Sequence, residues 1–150
     1  MSRIVRYQGA IVCDHHILLI QHTHHPDGRS YWLIPGGGIE PDETEEACVI
    51  REMWEETCLQ VRVEGLLLDE PAEAGGLYQR RKTYHCAVEA GEARPGYEPE
   101  PDAAAAYAIT DVAWLDLRTP AAWPAAVVID PITHPLLQRL RTALGYDASV

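Results

Sequence analysis

A chain of 150 residues with 47% hydrophobic and 23% charged residues has the composition of one globular domain, residues 1–150, large enough for a proper core. A formal net charge of −11 argues against a nucleic-acid polymer as partner, because that needs a basic face; it leaves room for a small phosphorylated ligand whose charge a metal ion balances. Apolar runs such as residues 17–20 and 66–68 are too short to span a bilayer, and the start, MSRIVRYQGAIVCDHH, lacks the apolar region of a signal peptide, so a cytoplasmic chain without membrane contact is expected.

Ile4 to Cys13 alternates loosely and predicts a strand, Asp14 to His16 a short turn, and Ile17 to His22 a returning strand, together a hairpin. Residues 23–30 form a polar loop of turn formers that carries Arg29, a candidate for binding phosphate. His22, His24 and His25 complete no ligand spacing and read as histidines of a polar loop, not as a second metal site. Tyr31 to Ile34 is a short apolar strand that delivers the chain to Pro35, Gly36, Gly37 and Gly38. Three consecutive glycines permit positive φ and close approach of backbone to a ligand. Such a loop can point carbonyls at a cation and amides at a phosphate.

A helix follows, beginning near Asp42 with Glu45 in the place of a capping-box partner and ending near Thr57. Counted at about 100° per residue, Ala47, Ile50 and Trp54 share one meridian and predict a buried stripe, while Glu52, Glu55 and Glu56 share the opposite face. Like charges at this spacing cost about 0.2–0.5 kcal/mol per pair. Anions in the last turns also meet the negative end of the helix dipole, at roughly 0.3–1 kcal/mol each. Carboxylates crowded at the wrong end of a helix, behind a PGGG turn, point to a bound divalent cation more than to a solvated face. A hard, all-oxygen donor set suits Mg²⁺ or Mn²⁺ and not zinc.

Residues 61–69 predict a strand, 70–77 a loop, and 79–90 an alternating strand that holds the basic run Arg80, Arg81 and Lys82. Alternate members of that run either face the site and bind phosphate or form a solubilising edge. Residues 91–102, where Pro95, Gly96, Pro99 and Pro101 forbid regular structure, carry the acids Glu92, Glu98 and Glu100. Residues 103–106 read as a turn of helix or as the approach to a strand at 109–117, and residues 121–132 are ambiguous. Thr133 to Leu144 is a second helix, with Thr133 as its cap, Leu136, Leu137, Leu140 and Leu144 as its apolar stripe, and Gly145 as its end. Tyr31, Trp32, Tyr78 and Tyr84 can stack on a base, yet strand aromatics are core candidates first, and Trp32, Trp54 and Trp114 are expected in the core. Cys13, Cys48, Cys58 and Cys86 form no CxxC pair and no zinc spacing, and read as buried or half-buried free thiols.

The segment GGIEPDETEEACVIREMWEETCL, residues 37–59, resembles the Nudix box: Gly, five residues, Glu, seven residues, then Arg-Glu-apolar-any-Glu-Glu-any-Gly-apolar. Gly37, Glu43, Arg51, Glu52, Met53, Glu55, Glu56 and Leu59 fit in register, and Cys58 stands where the family has glycine at a left-handed helix cap, which predicts either a mildly strained cap or a slightly different helix exit. The resemblance implies the Nudix fold, an α/β/α sandwich with a mixed central sheet. It implies Mg²⁺-dependent hydrolysis, with Mn²⁺ as a substitute ion, of the pyrophosphate in a nucleoside diphosphate linked to another group. Carried onto this chain, it makes Glu52, Glu55, Glu56 and the Gly36 carbonyl the metal ligands. Glu52 or a loop glutamate would deprotonate or orient the attacking water. Arg51 would orient carboxylates by salt bridge, and Glu43 would support the loop–helix junction. A further carboxylate from a later loop has Glu98 and Glu100 as its candidates. The candidates for substrate binding are thus Arg29, Arg80, Arg81, Glu98 and Glu100. The alternative is a catalytically silent Nudix-fold module that binds or senses a nucleotide; such domains commonly lose box carboxylates, and all are present here. Isomerase chemistry on isoprenoid diphosphates would need a cysteine across the site, for which Cys86 is the candidate. A homodimer is left open.

Overall fold

The computed structural model describes residues 4–99 and 101–146. Its organisation starts at the first turn. Asp14 and His15 both take left-handed backbone, φ 50° and 66°, as a two-residue hairpin turn matched to strand twist requires. They join β1 (Val5–Cys13) to β2 (His16–His24), which pair antiparallel only beside the turn, at Val12 with Ile17 and Cys13 with His16.

Beyond that point the two strands part. Into the gap come β3 (Ser30–Leu33), antiparallel to β2, and β4 (Gly36–Gly37), antiparallel to β1, with Tyr7 opposite Gly37 and Gln8 opposite Gly36. On its other side β1 runs parallel to β6 (Arg80–Ala90), which pairs antiparallel with β5 (Gln60–Pro71). The last strand, β7 (Tyr107–Asp116), pairs antiparallel with β2 along its whole length. The mixed sheet therefore has the order β3-β2-β1-β6-β5, with β4 on β1 and β7 on β2.

Helices cover both faces. Against one lies α1 (Glu45–Thr57), whose Cys48, Val49 and Met53 pack with Tyr7, Ile11, Leu18 and Tyr84. Met53 can lie flat on β1 because Gly9 faces it; a Cβ there would meet its sulfur at 2.5 Å. Against the other face lie α3 (Ala125–Val128) and α4 (Thr133–Ala143), where Val127, Leu136, Leu137 and Leu140 pack with Ala10, Ile17, Leu19 and Leu117. A short helix, α2 (Pro101–Ala106), precedes β7, and a 3₁₀ turn at Pro120–Ala122 precedes α3. The α/β class and the three layers agree with expectation. No helix among the described residues is long and apolar enough to cross a membrane.

Several local expectations need correction. Trp54 and Ile50 are 50% and 40% exposed, and Ala47 is exposed with them, so the inward side of α1 is Cys48, Val49 and Met53, continued by Glu52 and Glu56. Trp114 is half-exposed on β7, and Cys13 lies exposed beside the hairpin turn, although all four thiols are free. Thr44, not Asp42, caps α1, its hydroxyl accepting from the Ala47 amide, while Asp42 sits outside the helix with φ 64°. Thr133 does not cap α4: its hydroxyl donates to the Trp32 carbonyl, and Asp130 Oδ1 takes the amides of Ile132 and Thr133 instead. Regular structure also resumes earlier than expected, since Pro101 opens α2 and suits a first helical turn, where its missing N–H goes unused.

Candidate active site

The site begins with two glycines in extended backbone. Gly36, Gly37 and Gly38 do not take positive φ; glycine is needed there for space. A Cβ on Gly36 would lie 2.5 Å from the Tyr7 carbonyl oxygen, and one on Gly37 would lie 2.4 Å from Glu52 Oε2. The absent side chains let the strand lie against β1 and let the Glu52 carboxylate lie against the strand.

From below, α1 raises its acids toward that strand. Glu52, Glu55 and Glu56 are 6%, 9% and 1% exposed. Glu56 Oε1 accepts the Gly36 amide at 2.9 Å. Arg51 is the hub of the remaining contacts. Its Nε and Nη2 donate to both oxygens of Glu43 at 2.7 and 2.9 Å, its Nη2 to the Gly38 carbonyl at 3.1 Å, and its Nη1 to Glu52 and Glu55 at 3.1 Å each. One guanidinium thus ties the loop, the start of the helix and two of the three acids together.

Burial dominates the electrostatics. It pushes Glu52 up to about 7 against the pull of Arg51, and it pushes Glu55 up as well. Glu56 is held well above the usual carboxylate range by burial and then by the neighbouring Glu52. Glu43, in contrast, is lowered, chiefly by its hydrogen bonds to Arg51. Three acids resist ionisation: Glu52 and Glu55 share Arg51, while Glu56 feels only the longer-range pull of Arg6, so the cluster is short of positive charge.

Residues 91–99 close the back of the helix. The amides of Arg94, Gly96 and Tyr97 donate to the carbonyls of Thr57, Glu56 and Glu55 at 2.9, 2.9 and 2.8 Å, which satisfies acceptors that the last turn leaves free. Cys58 takes the left-handed cap, φ 64° and ψ 18°. Having docked there, the loop carries Glu98 into the wall of a cavity of about 940 Å³, where its charge adds to the pressure on Glu52, Glu55 and Glu56.

That cavity is bordered by Gly36, Gly37, Gly38 and Glu52 and also by aromatic and apolar groups, among them Tyr31, Leu33, Leu77 and Tyr78. Of the basic run, Arg81 reaches the cavity, donating to Glu73 at 2.6 Å and to Gln8 Oε1 at 3.3 Å. Arg80 turns outward to Asp69, Lys82 lies on the α1 face with Glu45, and Arg29 stays in the exposed 23–30 loop, outside the cavity wall. Glu100 lies outside the described residues. Cys86 lies in the α1-side core and does not border the cavity; burial pushes its thiol up to about 12, which leaves little thiolate for chemistry.

Two residues of the wall carried no expectation of contact. Arg6 on β1 is buried, donating through Nε to Gln8 Oε1 at 3.0 Å and through Nη2 to the Ile34 carbonyl at 2.9 Å. His22 lies in β2, which runs past the expected strand end to His24, and it stacks on Tyr107 with ring centroids 4.0 Å apart. Burial, and then Arg6, lower it to about 3, so it is a neutral ring. His24 and His25 go elsewhere, to Asp27 and to the Ala104 carbonyl. The sequence did hold a signal for Arg6: it alternates with Gln8, Ala10 and Val12, and on an interior strand that places polar groups on an inward face.

The family model for the NUDIX domain matches residues 4–134. The chain belongs to the Nudix family. Among its relatives, diphosphoinositol polyphosphate phosphohydrolase 3-alpha of Mus musculus is 35% identical over 51 residues, which are 34% of this chain and 29% of that protein. The chain thus spans under a third of that relative's length. Among Nudix structures, the MutT NUDIX hydrolase of Burkholderia pseudomallei is 27% identical with a TM-score of 0.59, covering 99% of this chain and 100% of that one. An ADP-ribose pyrophosphatase from Streptococcus suis, at 18% identity and a TM-score of 0.67, covers 99% and 94% and shows the shared fold.

Nudix hydrolases generally use a divalent metal, and the donors here suit one. They are carboxylate oxygens in a buried setting short of positive charge, beside a strand whose glycines let a carboxylate approach its backbone. Among the described residues no three His, Cys, Asp or Glu side chains stand ready-converged on one point. The hydrogen bonds explain this, since Glu52 and Glu55 are drawn to Arg51 while Glu56 is drawn to the Gly36 amide.

Proposed function

We propose that the chain is a metal-dependent pyrophosphohydrolase acting on a nucleoside diphosphate linked to another moiety, with Mg²⁺ as its ion and Mn²⁺ as a substitute. The observation that carries this reading is the buried acid cluster on α1. Glu52, Glu55 and Glu56 are pressed toward protonation, and among the described residues Arg51 is the one ion-pairing partner of Glu52 and Glu55 while Glu56 has none. Buried charge of one sign persists in a fold where an ion of the other sign completes it.

The three glutamates and the Gly36 carbonyl would hold the ion. Bound there, it supplies neutralisation of phosphoryl oxygens and activation of water. The residues of the chain do the remainder. Arg51 fixes Glu52 and Glu55 against the glycine strand. Glu52, at the cavity wall, takes a proton from the water that attacks phosphorus; the bridging P–O bond breaks, and both halves leave as phosphates. Glu98, the wall carboxylate carried in by the loop docked on α1, orients that water. Arg81 is the member of the basic run placed to meet substrate, and Tyr31 and Tyr78 offer flat apolar faces to a base. The ADP-ribose pyrophosphatase among the structural neighbours supports a nucleotide-linked diphosphate as the substrate class.

The test is a panel of nucleoside triphosphates, sugar nucleotides, ADP-ribose and dinucleoside polyphosphates with Mg²⁺, run on the wild-type chain and on Glu56→Gln. We expect hydrolysis of at least one member, lost by about a thousandfold or more in the variant. Wild-type rates in a folded Glu56→Gln protein would refute the metal-site assignment.

A further inference from the structure

We propose that Arg6 is the centre of an anion subsite in the cavity wall, which binds an oxygen of the substrate's diphosphate independently of the metal. This rests on the reading of the cavity as a pyrophosphate site.

Arg6 is 8% exposed and borders the cavity. A guanidinium so buried is costly unless a carboxylate pairs with it. Among the described residues none does: its hydrogen bonds go to neutral oxygens, Gln8 Oε1 and the Ile34 carbonyl, and Nη1 has no partner. The charges that answer it, Glu56 and then Glu52, act at longer range. Every other arginine whose side chain reaches this wall, Arg51 and Arg81, has carboxylate partners.

The surroundings hold the group in place without putting a carboxylate within hydrogen-bond reach of it. Gln8 donates its own amide to Thr83 Oγ1 at 2.8 Å, which turns its oxygen toward Arg6 and Arg81. Two guanidiniums therefore meet on one amide oxygen, an arrangement of like charges that an anion between them relieves. Nearby, His22 Nε2 is the one fully buried side-chain nitrogen or oxygen among the described residues without a hydrogen-bond partner. Its Nδ1 lies 3.2 Å from the Tyr31 hydroxyl. When that hydroxyl donates, Nε2 carries a proton and becomes a second donor left over beside Arg6. A planar fork with an unused edge suits the oxygens of a phosphoryl group better than a point charge does.

The experiment is a titration of metal-stripped protein with pyrophosphate at pH 6, followed by calorimetry and by the Arg6 Nε–Hε NMR resonance, assigned through bonds on the wild-type chain. Wild-type protein should bind, with the Arg6 resonance shifting in step. Arg6→Met should weaken binding at least tenfold, and Arg6→Lys should weaken it less. Absence of wild-type binding, an unmoved Arg6 resonance, or equal affinity in a folded Arg6→Met protein would each overturn the proposal, and the wild-type resonance decides if neither variant folds. Failure here with intact Mg²⁺-dependent hydrolysis sinks only the subsite; pyrophosphate binding without any hydrolysis sinks the enzymatic reading and leaves the subsite standing.

Discussion

Replacing Glu52 by Gln should stabilise the metal-free protein at alkaline pH. The carboxyl is lifted from 4.5 to about 7, mainly by burial. A carboxyl raised in the fold holds its proton more tightly there than in the unfolded chain. The stability that this contributes is fully present below pH about 4.5 and is lost as pH rises through about 7. At about 1.36 kcal/mol per pH unit, ionising Glu52 costs the fold about 3 kcal/mol by pH 8.5. Glutamine does not ionise, and its amide oxygen can still accept from Arg51 Nη1. For a chain of this length, about 3 kcal/mol corresponds to roughly 6–12 °C in Tm. Thermal melts of metal-stripped wild type and variant should therefore coincide near pH 4 and separate by that amount at pH 8.5, with the variant higher. Added Mg²⁺ should raise the wild-type Tm and narrow the gap. A gap that is absent, reversed, or equal at both pH values would refute the account of Glu52 as a carboxyl buried at a cost that a cation relieves.

Two further substitutions probe the helix exit and the loop docked on it. Cys58→Gly removes about 1–2 kcal/mol of left-handed strain but gives the unfolded chain about 0.4–1 kcal/mol of extra freedom. Denaturant melts should find a gain of about 0.5–1 kcal/mol with hydrolysis within twofold of wild type, and a loss of stability would contradict the strain. Gly96→Ala puts a Cβ 1.9 Å from the Glu55 carbonyl oxygen, which belongs to helix backbone and cannot yield. The loop must lift, breaking the bonds from Gly96 and Tyr97 at about 1 kcal/mol each and withdrawing Glu98. Stability should fall by about 2–3 kcal/mol with a drop in kcat, whereas native melting with native kcat would show that the loop is not anchored this way.

The α1 stripe explains where reading the chain succeeds and where it fails. Apolar periodicity pointed to Ala47, Ile50 and Trp54, yet the inward side is Cys48, Val49, Glu52, Met53 and Glu56. That side is half apolar and half carboxylate, so a count of hydrophobic residues passes over it. The rule that hydrophobic residues face inward fails here because the acids face an internal site. That Glu52, Glu55 and Glu56 share a side of α1 was legible, since spacing on one helix is a local property. Cys58 was equally legible, because the backbone that a helix exit demands is set within a few residues. The glycines were half legible: the need for glycine was plain, but its reason, room for Glu52 and for β1, depends on what packs against them.

The wall of the cavity depends on pairings far apart in sequence. Gln8 stands opposite Thr83 across the parallel β1–β6 pair, which brings Arg6 and Arg81 onto one amide oxygen. Asp130, Thr133 and Leu136 border the same cavity from the far end of the chain, and residues 23–30, which carry the phosphate-binding candidate Arg29, do not. Residues 37–59 by themselves determine the helix, its acid cluster and the family, because helical spacing and turn geometry act over one short segment. Which charges end up buried, and which arginine is left without a carboxylate, only the tertiary structure decides. Desolvation is a property of everything packed around a group, and no stretch of local sequence contains it.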